Sequence, residues 1–147
     1  MDSEQKKVFD KLSAQCARRE YCASDVRVKA LKALGGDASR VEEIVGVLVS
    51  EKFVDDLRYA SAFAREKASL SGWGPVKIRY SLRAKGVAAA TIDEALQEID
   101  EDKASERLAK LLEAKRKSLE GDPQQRLKLI KFALSRGYEY DEVQKFV

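Results

Sequence analysis

Gly35, Gly86 and Gly137 stand 51 residues apart, and each closes a stretch whose apolar residues recur at helical spacing. At the same offset Val41, Ile92 and Val143 coincide, as do Ile44, Ala95 and Phe146, then Val45, Leu96 and Val147, while Leu48 falls on Ile99. Such a period constrains the fold more than any single element, because each repeat has to be one supersecondary unit that buries its apolar face within itself or against a neighbour. Val41, Ile44, Val45 and Leu48 follow the i, i+3, i+4, i+7 pattern of a helix face, so a helix follows each glycine. The first helices agree less well. Leu12 falls on Phe63, whereas the third unit needs a shift of three that sets Pro123 on Pro75 and Leu111 on Phe63. One extra helical turn before Gly137, in a helix carrying Leu127, Leu129, Ile130 and Ala133, would absorb that shift. The expected fold is all-α: three tandem, divergent three-helix repeats at residues 1–52, 53–100 and 101–147. No Gly/Ser or Pro-rich linker lies near Phe53 or Glu101, so the units should pack end to end.

Within the first unit, a helix is expected from about Ser3 to Arg19, with Val8, Leu12, Ala14 and Cys16 on its apolar side and Lys6, Lys7, Lys11, Arg18 and Arg19 solvated. A second starts at Ser24-Asp25 and carries Val28 and Leu31 to the Gly35-Gly36 stop, and Asp37 or Ser39 caps the third. In the second unit Asp55 or Asp56 caps a helix whose face is Leu57, Ala60, Phe63 and Ala64, widened by Tyr59. The run Gly72-Trp73-Gly74-Pro75 ends that helix and suits the start of the next, with Trp73 as a plug between them. From Pro75 to Lys85 the apolar residues alternate as in a strand, and periodicity alone permits one. The pairs Ile78/Leu82 and Arg79/Arg83, with Lys85-Gly86 as an end signal, favour a helix.

The 147 residues, 44% hydrophobic and 36% charged, suit a folded chain, and no run of about 18 apolar residues exists to cross a bilayer. MDSEQKK lacks the apolar core of a signal peptide, so a cytoplasmic location is expected. Cys16 and Cys22 do not have CxxC spacing and the chain contains no histidine, which leaves no metal set and points to buried, reduced thiols. The acid pairs Glu42-Glu43, Asp55-Asp56 and Asp93-Glu94 diverge by about 100° on a helix and would not grip one ligand together. No phosphate-cradling loop accompanies Gly35-Gly36, and without the commonest general base an enzyme is not expected.

Surfaces remain. Residues 103–136 hold ten Lys/Arg against four Asp/Glu, whereas residues 53–100 balance seven against seven. Lys77, Arg79, Arg83 and Lys85 would form an unneutralised basic band, and Lys115, Arg116, Lys117, Arg126, Lys128, Lys131 and Arg136 a second. These bands either keep the helices soluble or meet nucleic-acid phosphates or an acidic protein groove. Tyr80, beside the first band, reads as half-buried structure, with base stacking the alternative.

FVDDLRYASAFAREK followed by WGPVKIRYSLRAKGV resembles the central repeat of the RecX family, regulators of the bacterial RecA recombinase. DPQQRLKLIKFALSRGYEYDEVQKF resembles the last repeat of that family. The resemblance implies an elongated, curved array of three three-helix repeats that needs no cofactor. It implies binding along the RecA filament on single-stranded DNA, where such proteins modulate filament growth, ATP hydrolysis and strand exchange, usually as inhibitors. Separately, the lack of a long heptad run sets the expectation of a monomer, and the basic bands leave open either acidic recombinase surface or a weak direct contact with DNA. The expected contacts are Arg65, Lys77, Arg79, Arg83, Lys85, Arg126, Lys128 and Lys131, with Phe63, Trp73, Gly86 and Gly137 structural. The rival expectation is a stand-alone helical DNA-binding protein, against which Glu42, Glu43, Asp93, Glu94 and Glu98 on the third helices argue.

Overall fold

The computed structural model describes residues 1–147 as nine helices and no strand. They are α1 (Ser3–Cys16), α2 (Ala23–Ala33), α3 (Ala38–Ser50), α4 (Asp56–Ser69), α5 (Pro75–Ala84), α6 (Ala89–Gln97), α7 (Glu101–Ser118), α8 (Gln125–Ser135) and α9 (Tyr140–Gln144). The closely packed helix pairs all lie within α1–α3, α4–α6 or α7–α9. The apolar interior accordingly divides into three clusters, built around Ile44 and Leu48, around Ile78, Leu82 and Ile92, and around Leu108, Leu112 and Leu129. The accessible surface is 8980 Å², against about 7,500 Å² for a compact monomer of this mass. Three small cores in a row cost that extra surface, and the array is extended.

Local chemistry sets most helix ends. Asp2, Asp37, Asp55 and Asp100 each accept a hydrogen bond from the backbone N–H three residues on, which starts α1, α3, α4 and α7. α5 starts instead at Gly74 with Pro75 in its first position. The second helices end alike: Gly35, Gly86 and Gly137 have φ of +62°, +78° and +91°. In each case the next N–H reaches five residues back, Gly36 to Leu31, Val87 to Leu82 and Tyr138 to Ala133. This is the turn that a left-handed residue after a helix permits, and it feeds third helices that begin 51 residues apart at Ala38, Ala89 and Tyr140. Val87 and Tyr138 anchor that turn in the core, whereas the first unit has the exposed Gly36 there.

Several expectations change in detail. α1 stops at Cys16 rather than Arg19, and Ala14 is exposed. Val26 and Ala30, one helical turn apart, face the core on α2, which turns Val28 outward. α8 is one residue longer than α5 rather than one turn, and the extra chain lies in the turn at 119–124. Pro123 sits in that turn instead of opening the helix, and Leu127 is exposed while Leu129, Ile130 and Ala133 are buried.

The two junctions are built differently. Between the first and second triplets the chain exchanges core residues: Cys22, fully buried, belongs to the middle cluster, while Val54 belongs to the first. Phe9 meets Phe53 edge-on with ring centroids 6.0 Å apart. The Ala23 N–H donates to Asp56 at 2.8 Å, the Ser24 hydroxyl to the Lys85 carbonyl at 2.5 Å, and Arg58 pairs with Glu20 at 2.6 Å. Between the second and third triplets the join is backbone on backbone. Gly74 N–H donates to the Arg136 carbonyl at 2.7 Å and Val76 N–H to the Gly137 carbonyl at 2.9 Å. The amides at the start of α5 are thus met by carbonyls at the end of α8, and Pro75 between them has no N–H to satisfy.

Candidate interaction surface

α5 contains no acidic residue. Ile78 and Leu82 point into the middle core, so Val76, Tyr80 and Arg83 are turned outward. Tyr80 is 77% exposed, which corrects the expectation of half-buried structure: its position, two residues from each of Ile78 and Leu82, sets it about 200° around the helix from both. Val76, one turn before Tyr80, is 48% exposed. The outer face of α5 therefore carries an aliphatic residue, an aromatic and a cation in succession.

The basic residues around it are not one unneutralised band, as their tertiary partners lie far off in sequence. Arg79 forms an ion pair and hydrogen bond with Asp93 of α6. Lys85 bonds Asp25 of α2 at 2.9 Å, which raises the lysine pKa. Burial pushes the Asp25 carboxyl up, but the bonds from Lys85 and Cys22 outweigh it and leave the carboxyl below its ordinary value. Lys77 covers Gly137 with its backbone and stem, and its ammonium lies 4.5 Å from the centroid of Trp73. Lys67 stands 4.9 Å from the same centroid, so two ammonium groups lie close to the indole. Trp73 also meets Phe63 edge-on at 6.2 Å and packs against the middle core. Lys77 and Lys85 are thus held at the two junctions.

Arg65 lies 3.7 Å from Glu98, and Lys128 pairs with Asp122 at 2.5 Å. Arg83, Arg126 and Lys131 are exposed and have no acidic partner. No hydrogen bond or ion pair joins Arg126 or Lys131 to α5. The acid pairs are likewise drawn apart: Asp55 caps α4 while Asp56 reaches Ala23, and Glu42 pairs with Arg27 while Glu43 meets Gln5 and the N-terminal ammonium. No group of three His, Cys, Asp or Glu side chains comes together to hold a metal ion. No helix is long and apolar enough to cross a membrane.

Comparison with known proteins accords with this architecture. The family model described as RecX, second three-helix domain, matches residues 55–96, and that described as RecX, third three-helix domain, matches residues 101–147. The chain is 33% identical over 113 residues to a regulatory protein RecX of Clostridium tetani (strain Massachusetts / E88), covering 74% of this chain and 51% of that protein. It is 34% identical over 117 residues to one of Clostridium botulinum (strain Eklund 17B / Type B), covering 77% and 54% respectively. The chain thus spans about half the length of these relatives. Among solved structures, the crystal structure of RecX from Lactobacillus salivarius is similar with a TM-score of 0.87 at 21% identity, over 99% of this chain and 96% of that one. A second crystal structure, of a regulatory protein RecX, also gives 0.87 at 23% identity, over 97% and 71%. With two of the family's three-helix domains matched in order over more than half of its length, this chain belongs to the RecX family.

Proposed function

We propose that this chain regulates the RecA recombinase by binding as a monomer along the RecA filament on single-stranded DNA, with inhibition as the outcome. Membership of a family of regulatory proteins supports the role, and the outer face of α5 is the observation that carries the contact. A helix without an acidic residue exposes Tyr80 beside the unpaired Arg83, an aromatic and an arginine of the kind that anchors interfaces. Arg126 and Lys131 extend the contact to the third unit. Arg79, Arg65 and Lys128 join by exchanging their exposed intramolecular acids for partner acids or phosphates, an exchange that costs little at a surface. We assign Lys77 and Lys85 to the junctions instead.

Inhibition follows from occupancy. The units, taken as residues 1–52, 53–100 and 101–147, are joined without linkers, so one chain holds several weak contacts in fixed register along a repeating filament. A bound array obstructs duplex entry and favours whichever filament state matches its spacing. The test is ATP hydrolysis by the matching bacterial RecA on single-stranded DNA, titrated with this protein at fixed moderate salt. Inhibition at substoichiometric protein is expected. Unchanged hydrolysis at a several-fold excess over RecA would overturn the proposal.

A further inference from the structure

Where the second triplet meets the third, two hollows join into one groove. The first, of about 190 Å³, is walled mainly by apolar side chains, Trp73, Ile78, Leu96 and Ile99 among them. The second, of about 460 Å³, is rimmed by Glu101, Asp102, Glu139 and Glu142. Pro75, Glu101, Ala104 and Tyr138 line both, which makes them continuous. Glu142 is paired with Lys145, whereas Glu101, Asp102 and Glu139 have no cationic partner. Lys67 and Lys77 approach the indole of Trp73 but line neither hollow. The acids do not converge into a metal site. Two donors face the same space. Tyr138 is only 7% exposed, and its hydroxyl is neither hydrogen-bonded within the protein nor sealed away from the groove it lines. Arg107 lines the apolar hollow without an acidic partner; burial pushes the Tyr138 phenol up, and the nearby Arg107 charge opposes that rise.

We infer that this groove is a docking site for a basic protein segment that carries one bulky apolar side chain. The features ask for an apolar anchor, cations beside it and hydrogen-bond acceptors, since a guanidinium only donates and a phenol O–H can. An apolar cavity of about 150 Å³ holds a benzene ring, so the smaller hollow has room for a single phenyl group. A lysine-rich peptide with one phenylalanine answers every feature: the ring for the hollow, ammonium groups for the three free acids, and backbone carbonyls for Tyr138 and Arg107. A nucleic-acid strand would bring phosphates to a carboxylate rim and be repelled. A small apolar acid satisfies the donors but leaves the rim unanswered. Because the walls come from both triplets, the bound segment also braces their junction.

Trp73 is the only tryptophan of the chain, so its emission reports occupancy of the apolar hollow. The test is titration of the full chain, without recombinase or DNA, with a capped peptide of lysines around a central phenylalanine. Binding should shift the Trp73 emission and saturate. Replacing the central phenylalanine by serine should weaken binding at least about tenfold, as expected for losing the burial of one aromatic side chain. Both peptides meet the unmodified protein, so this comparison stands even where a variant folds poorly. Combining Glu101→Gln, Asp102→Asn and Glu139→Gln should weaken binding at least about fivefold at low salt and flatten its salt dependence. Tyr138→Phe, which keeps the ring in the core, should weaken it about threefold with the salt dependence unchanged. No emission change up to about 1 mM peptide, or equal affinity for the serine peptide or by the triple variant, would overturn the site. So would tighter binding of a peptide with glutamate in place of lysine. Self-association of the chain that the triple variant abolishes, with no peptide bound, would also overturn it and make a second copy the occupant. Because RecA is absent, failure here leaves filament regulation standing.

Discussion

Gly74 and Gly137 touch through their backbones where the second triplet meets the third. A methyl group placed on Gly74 would lie 2.6 Å from the Tyr138 nitrogen and collide with the Gly137 carbonyl, and one on Gly137 would lie 2.6 Å from the Lys77 nitrogen. Neither collision involves a side chain that could swing away. The two residues act as one packing device, contributed by chain segments 63 positions apart, and it fixes how α5 meets the end of α8.

Gly74→Ala therefore isolates the close approach, since Gly74 has an ordinary φ of −85° and an alanine there suffers no backbone strain. It should destabilise the chain by about 2 kcal/mol or more, by overpacking against backbone. Gly35→Ala, at φ +62° with open space around it, should cost only about 1 kcal/mol of left-handed strain. Urea denaturation of the two variants checks this. A Gly74→Ala protein as stable as the parent would show that the triplets are not locked there.

Arg83 and Lys85 are two residues apart in sequence and should behave in opposite ways. Arg83→Glu should change stability by less than about 0.5 kcal/mol and reduce inhibition of RecA ATP hydrolysis, since its side chain is unpaired. Lys85→Ala loses the bond to Asp25 and should cost about 0.5–1 kcal/mol, discounted for an exposed pair, with inhibition retained. Parallel melting curves and ATPase titrations separate the two. A Lys85 variant that keeps its stability but loses inhibition would move that residue from the junction to the contact surface.

Both thiols should be inert in the folded chain. Cys16 and Cys22 are buried, and burial pushes both pKa values up, so little thiolate is present at neutral pH and reagents have no access. Ellman's reagent should report neither cysteine in the native protein over minutes and both in denaturant. Prompt reaction of one equivalent, mapped to Cys22, would mean that the junction of the first two triplets opens readily.

Acid should loosen the first triplet early. The Arg40 guanidinium holds the Asp2 carboxyl below its usual range, Arg27 does the same for Glu42, and Gln5 with the N-terminal ammonium does so for Glu43. A depressed folded pKa contributes stability that is complete above the ordinary carboxylate range and is lost as pH falls through the lower folded values. Amide hydrogen exchange compared at pH 7 and pH 3 should show protection falling first in α1 and α3. Protection lost first in α7 to α9 would contradict this assignment.

Much of the fold was legible because it is local. Asp37 and Asp55 mark helix starts, Gly35, Gly86 and Gly137 mark stops, and Val41, Ile44, Val45 and Leu48 mark a buried face, each through contacts within a few residues. The failures, such as Val28 and Leu127, come from short helices in which only a couple of residues reach the core. Their neighbours across the core decide which ones.

The site was less legible for the same reason. Sequence determined that the α5 segment is basic and carries Tyr80, because composition is a property of one segment, whereas its period also permitted a strand and only the i, i+4 pairs with the Lys85-Gly86 end favoured a helix. Only the tertiary structure decided that Arg79 is answered by Asp93, that Lys85 is tied to Asp25, and that Glu101, Asp102 and Glu139 are left to rim a groove with an apolar hollow. Charge pairing, core exchange by Cys22 and the Gly74–Gly137 contact all depend on distances through space between residues remote in the chain, and periodicity along the chain does not encode them.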